Sequence, residues 1–130
     1  MKIVAVDYGS ARTGVAVSDP TGTIARPLGV VEGAGRDAGL RRLVGLIRAE
    51  QAERVVVGLP LTLRGERGEQ ARETEAFVEA LRAAVDVPVE SFDERFTTRL
   101  AQMFGDEPED ARAAAHLLSS YLEWSSTGRE

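Results

Sequence analysis

A chain of 130 residues, 43% hydrophobic and 28% charged, has the size and composition of one compact domain that buries roughly two-thirds of its unfolded surface, so a single site within residues 1–130 is expected rather than two lobes. A formal charge of −5 excludes a protein that coats nucleic acid by bulk electrostatics, because that mode needs many Lys and Arg contacts to phosphate, but it leaves room for a nuclease whose basic residues are local. The absence of cysteine removes disulfides and thiolate metal sites and makes the cytoplasm the default location, and no apolar run is long enough to cross a bilayer.

The chain opens Met-Lys-Ile-Val-Ala-Val-Asp, where an acid interrupts the apolar stretch sooner than in the core of a signal peptide. Ile3 to Val6, ending at Asp7, and Gly14 to Val17 read as two strands joined by a short turn. A third strand is predicted over Thr23 to Val31 after the turn Asp19-Pro20-Thr21-Gly22. Pro27 within it cannot donate to a ladder, which suits a sheet edge or a bulge.

From Arg36 to Gln51 the apolar positions Leu40, Leu43, Val44 and Ile47 follow helical spacing, and Arg54 to Leu59 returns to a β-branched run. The unit repeats with a helix over Glu69 to Val85 and a strand over Val87 to Phe92, and helices follow near Thr98 to Phe104 and Pro108 to Glu123. Short loops let the first three strands pair antiparallel, whereas helical crossovers require the last two to be parallel. The simplest result is a five-stranded mixed α/β sheet of order 3-2-1-4-5 flanked by helices.

In that sheet the first, fourth and fifth strands point the same way, so Asp7 and the pair Asp93-Glu94 emerge at one edge. Their backbones stand ~10 Å apart across the intervening strand, near enough for the side chains to share metals. Adjacent residues of an extended chain point to opposite sides, so one of Asp93 and Glu94 is expected to ligate. Asp7 closes a central apolar strand, where a carboxylate is costly unless coordinated or hydrogen-bonded. Asp110 sits in the first turn of the last helix, where it complements the helix dipole, yet it shares a face with Ala114, Leu117 and Tyr121 that must pack on the sheet. The single histidine, His116, falls about 160° from the centre of that apolar stripe and is expected at the surface.

Fifteen of the sixteen basic residues are arginine, an excess that genome composition explains, although arginine is also the better bidentate ligand for phosphate. The segment Thr62 to Gly68 should lie at the same sheet edge as the acids, with Arg64 and Arg67 placed to hold phosphate or simply to decorate a polar turn.

Four segments then carry a resemblance: Val6-Asp7-Tyr8-Gly9 through Arg12-Thr13-Gly14-Val15-Ala16-Val17-Ser18-Asp19, Val56-Val57-Gly58-Leu59-Pro60, Asp93-Glu94-Arg95-Phe96-Thr97-Thr98, and Asp110 before Ala113-Ala114. In this combination and order, spanning nearly the whole chain, they resemble the YqgF family. The resemblance implies an RNase H-like fold related to Holliday-junction resolvases and a role in processing the 5′ end of precursor 16S ribosomal RNA. Carried onto this sequence, it makes Asp7, Asp93, Glu94 and Asp110 the catalytic candidates, with Asp7, Asp110 and one of the Asp93-Glu94 pair at the metal, Asp93 being taken first. Arg12 and Arg95 become phosphate contacts. Two departures stand out: Leu63-Arg64 replaces the family's common Met-Asp, and the stretch between Gln102 and Asp110 is shorter and poor in basic residues.

The expected chemistry is hydrolysis of a phosphodiester with Mg²⁺ or Mn²⁺ held by hard carboxylate oxygens. The expected partner is structured RNA or junction DNA, bound by a monomer or weak homodimer. The rivals are a junction resolvase, a silent RNA-binding domain of ribosome assembly, and one lobe of an actin-like ATPase, which also begins with a strand ending Asp-x-Gly.

Overall fold

The computed structural model describes residues 1–60, 68–93 and 109–126. The chain order is β1 (Ile3–Asp7), β2 (Arg12–Ser18), β3 (Ala25–Glu32), α1 (Asp37–Ala49), β4 (Arg54–Leu59), α2 (Glu69–Ala84), β5 (Val89–Asp93) and α3 (Glu109–Ser126). The helix predicted over Thr98 to Phe104 lies outside the described residues.

The five strands form one sheet of order β3-β2-β1-β4-β5, the simplest order that the loop lengths allowed. β1 pairs antiparallel with β2 and parallel with β4, and β4 pairs parallel with β5. β1 and β4 are nearly continuous Val and Ala runs because central strands of such a sheet are covered on both faces. β3 occupies the edge, and its register with β2 jumps from Val15↔Gly29 to Ala16↔Pro27. Leu28 is therefore the extra residue of a bulge placed beside the proline, where a ladder donor is missing.

Side chains alternate across the strands and divide the interior in two. On one face Leu43, Val44 and Ile47 of α1 and Phe77, Val78 and Leu81 of α2 pack on Val4, Val6, Val15, Val55, Val57 and Val89. On the other, among the described residues, α3 lays Ala114, Leu117, Leu118 and Tyr121 on Ile3, Ala5, Ala16, Val56 and Phe92. Each large apolar side chain so buried contributes about 1.5–3 kcal/mol.

The observed elements differ from the expected ones mainly at their ends. α1 stops at Ala49, two residues early, because Gln51 takes a left-handed conformation with φ of 56°. β5 begins at Val89 because Pro88 lacks an N–H, although its carbonyl accepts from the Val55 N–H at 2.9 Å. His116 corrects the reading of α3. It is 9% exposed rather than at the surface, because α3 lies across β1, β2 and β3 and buries a wider arc than one stripe. That burial lowers the imidazole pKa below its usual value.

Candidate active site

Asp7 closes β1 on the same face as Ile3 and Ala5, the face covered by α3. Its partner across the antiparallel ladder is Gly14. A β-carbon at Gly14 would stand 1.8 Å from the Asp110 carbonyl oxygen, so only glycine lets the first turn of α3 rest directly on the strand beside Asp7. Thr13 before Gly14 and Val15 and Val17 after it favour the strand, and the missing side chain makes the berth.

The hairpin turn after Asp7 is fastened by Thr13, which is fully buried. Its hydroxyl accepts from the Gly9 N–H at 3.3 Å and donates to the Gly9 carbonyl at 3.2 Å. At the other end of α3, Tyr121 donates to Glu90 Oε1 at 2.6 Å and accepts from Arg54 Nη1 at 3.0 Å. Those bonds tie the helix to the starts of β4 and β5. With both ends held, α3 runs antiparallel to β1 and delivers Asp110 to the edge where Asp7 emerges.

The electrostatics follow from this approach. Desolvation by burial, and then the negative charge of Asp110, push the Asp7 carboxyl up to about 6 from an ordinary 3.8. A carboxylate poised near neutrality in a cleft is a common mark of a functional acid. Asp110 is balanced on its outer side by Arg12, whose Nε lies 3.1 Å from Oδ2. Arg12 is 64% exposed, so this pair contributes no more than about 1 kcal/mol to stability and its guanidinium stays accessible.

The structure thus brings together Asp7, Asp110 and Arg12 of the predicted set. Asp93 ends β5 at the same sheet edge. By strand alternation it shares the face of Val89, the α1 and α2 side, opposite to Asp7. Glu94, Arg64, Arg67 and Arg95 lie outside the described residues. Among the described residues no cluster of three or more acid, histidine or cysteine side chains forms a metal site. β4 ends Gly58-Leu59 and is followed by Pro60, so it brings no carboxylate to this edge among the described residues.

Two features escaped the sequence reading. Gly14 had a usable signal, a glycine inside a β-branched run, which marks a bulge or a close backbone approach. Arg36 and Arg42, described below, had none, because nothing local separates them from other arginines.

Residues 1–124 match the family model described as RuvX, Holliday junction resolvase. A Roseiflexus sp. (strain RS-1) protein is 43% identical over 132 residues, covering 94% of each chain. A Rubrobacter xylanophilus protein is 44% identical over 131 residues, 94% of this chain and 92% of its own. Both are named pre-16S rRNA nucleases. Among solved structures, T. thermophilus RuvC in complex with Holliday junction substrate superposes with a TM-score of 0.62 at 19% identity, over 98% of this chain and 96% of that one. The fowlpox virus Holliday junction resolvase gives 0.56 at 13% identity over 95% and 99%. At such identities the likeness establishes the fold, which is RNase H-like.

Proposed function

Because the chain belongs to the RuvX family of Holliday junction resolvases, we propose that it is an endonuclease that hydrolyses nucleic-acid phosphodiester bonds at Asp7 and Asp110. The observation that carries this reading is a half-buried carboxyl raised to about 6 and set against a second acid by a glycine that clears the way. A fold seeking only stability would place an apolar or neutral side chain there.

The donor set fits a hard divalent cation. Asp7 and Asp110 offer carboxylate oxygens, and Mg²⁺ commonly binds through one or two carboxylates while keeping waters and substrate phosphate in its other positions. Asp7 and Asp110 would hold it; of the pair Asp93-Glu94, Glu94 is the candidate to join them, since Asp93 ends β5 on the face opposite to Asp7. When bound, Mg²⁺ or Mn²⁺ would supply activation of water and stabilisation of the departing oxygen. The chain's own contribution is to hold Asp7 rigidly at the end of a buried strand and to keep Asp110 beside it through the berth at Gly14. Arg12 lies at the rim, where its guanidinium pairs with phosphate, and Arg64, Arg67 and Arg95 are further phosphate contacts in this reading.

The substrate we assign first is the 5′ region of precursor 16S ribosomal RNA, in line with the names of the relatives, in the cytoplasm. The family description favours a second substrate, four-way junction DNA. Purified protein should cleave one of these with Mg²⁺, and Asp7→Asn should lose at least about a hundredfold in rate while melting as a folded protein. A variant that cleaves at the parental rate would remove Asp7 from the chemistry. Cleavage of RNA alone, or of the junction alone, decides the substrate.

A further inference from the structure

Beside the carboxylates, on the far side of Arg12, a cleft of about 580 Å³ opens between the β1–β2 turn and the start of α1. Arg12, Arg36 and Arg42 line it, with Glu32 as the one acid among the described lining residues. In a chain of net charge −5 this wall is a local positive island. Arg36 makes no ion pair among the described residues. Arg42 spends one N–H on the Glu32 carbonyl at 2.8 Å, which orients its guanidinium and leaves its other donors available.

The walls are tied rather than loose. The Gly33 N–H donates to the Ala11 carbonyl at 3.1 Å, joining the β1–β2 turn to the end of β3, and the Arg36 N–H donates to the Gly33 carbonyl at 2.9 Å. At the floor, a β-carbon at Gly39 would stand 1.9 Å from the Gly33 carbonyl oxygen, so the first turn of α1 packs directly on that loop. No side chain caps this helix start, so its positive end adds to the field of the arginines.

We propose that this cleft is a phosphate subsite: Arg12, Arg36 and Arg42 grip a backbone phosphate of the same strand, or of the adjoining arm, whose scissile bond lies at Asp7 and Asp110. The proposal rests on the nuclease reading and assigns it a second point of contact with nucleic acid. Arg12 belongs to both places, through its pair with Asp110 and its position on the cleft wall, so the subsite and the acids are contiguous. Three arginines lining one cleft whose walls are hydrogen-bonded together suit the fork geometry by which arginine binds phosphate oxygens.

The test titrates the full chain in EDTA against two fluorescent probes, a four-way DNA junction and an RNA carrying the 5′ precursor boundary of 16S rRNA, over a salt series. Mg²⁺-dependent cleavage of each is followed separately. Arg36→Ala/Arg42→Ala should weaken binding of the preferred probe at least about tenfold and flatten the slope of log affinity against log salt by about two. Arg41→Ala/Arg48→Ala, which removes the same charge from elsewhere on α1, should leave both quantities unchanged. If the first pair melts below the assay temperature, Arg36→Gln/Arg42→Gln carries the same expectation. Parental affinity and slope in a folded Arg36/Arg42 variant would overturn the subsite, even while parental cleavage upholds the nuclease. Loss of binding in that variant, with no cleavage by the parent, would uphold the subsite and defeat the nuclease. A parent that binds neither probe defeats both.

Discussion

Asp7 and Asp19 stand at the ends of neighbouring strands and look alike in sequence, yet their surroundings push them apart. Asp19 is partly exposed and accepts the Ile24 and Thr23 N–H groups at 2.9 and 2.8 Å, with a further bond from the Thr21 hydroxyl. The Ile24 bond leads in lowering its pKa to about 2, as befits a turn-former. Asp7 is raised to about 6 by burial and then by Asp110. Its folded pKa therefore exceeds the unfolded 3.8, so the folded state holds the proton more tightly and stability falls as pH rises from about 4 to about 6. About two pKa units at ~1.4 kcal/mol each make the ionised group cost about 3 kcal/mol above that window. Asp7→Asn should therefore stabilise the metal-free protein by about 1–3 kcal/mol at pH 8 and change little at pH 3.5, as urea melts at the two pH values in EDTA would read. Equal gains at both pH values would place the effect outside Asp7 ionisation.

At the scale of the element, α3 is the part that assembles the site. Its C-terminal half is anchored by Tyr121 between Arg54 and Glu90, and its first turn rests on Gly14. Gly14→Ala sets a methyl against the Asp110 carbonyl, and the helix start must move outward. The expected cost is about 1–3 kcal/mol, together with a loss of cleavage larger than a melt of the same variant would explain, because Asp110 leaves Asp7. Melting and rate, measured on one preparation, separate the two effects. An alanine variant with parental activity would show that the approach of α3 is not needed. The pattern of α3 was readable from Ala114, Leu117 and Tyr121, which recur at helical spacing. The burial of His116 was not, since a helix laid over three strands covers side chains that a single stripe leaves out.

At the scale of the molecule, the sheet separates two cores that share no side chains among the described residues. Leu81 is buried on the α1 and α2 side and Leu118 on the α3 side, each with 0% exposure. Truncating either to alanine should cost about 2–5 kcal/mol, and the two losses should add within about 0.5 kcal/mol because no neighbour is common to both. A urea-melt series of the two single variants and the double variant checks this. A large coupling would mean that the sheet transmits strain from one layer to the other.

The order of the sheet was legible in the sequence. Short turns favour antiparallel neighbours, helical crossovers require parallel ones, and Pro27 belongs at an edge, so β3-β2-β1-β4-β5 was the simplest order the sequence allowed, and it is the one observed. The presence of an acid at the end of the central strand was equally plain, because an aspartate after Ile3 to Val6 is conspicuous against the apolar run. What only the tertiary structure decided were distances and sides. Asp110 meets Asp7 because a missing side chain at Gly14 admits a helix that begins almost a hundred residues later. Asp93 ends its strand on the face opposite to Asp7 because alternation is counted from the register of β5 with β4, which the sequence does not print. Arg12, Arg36 and Arg42 line one cleft because a turn and a helix start are laced together by backbone hydrogen bonds. Local pattern determines what an element is; the close approach of elements depends on packing and register, which belong to no single stretch of chain.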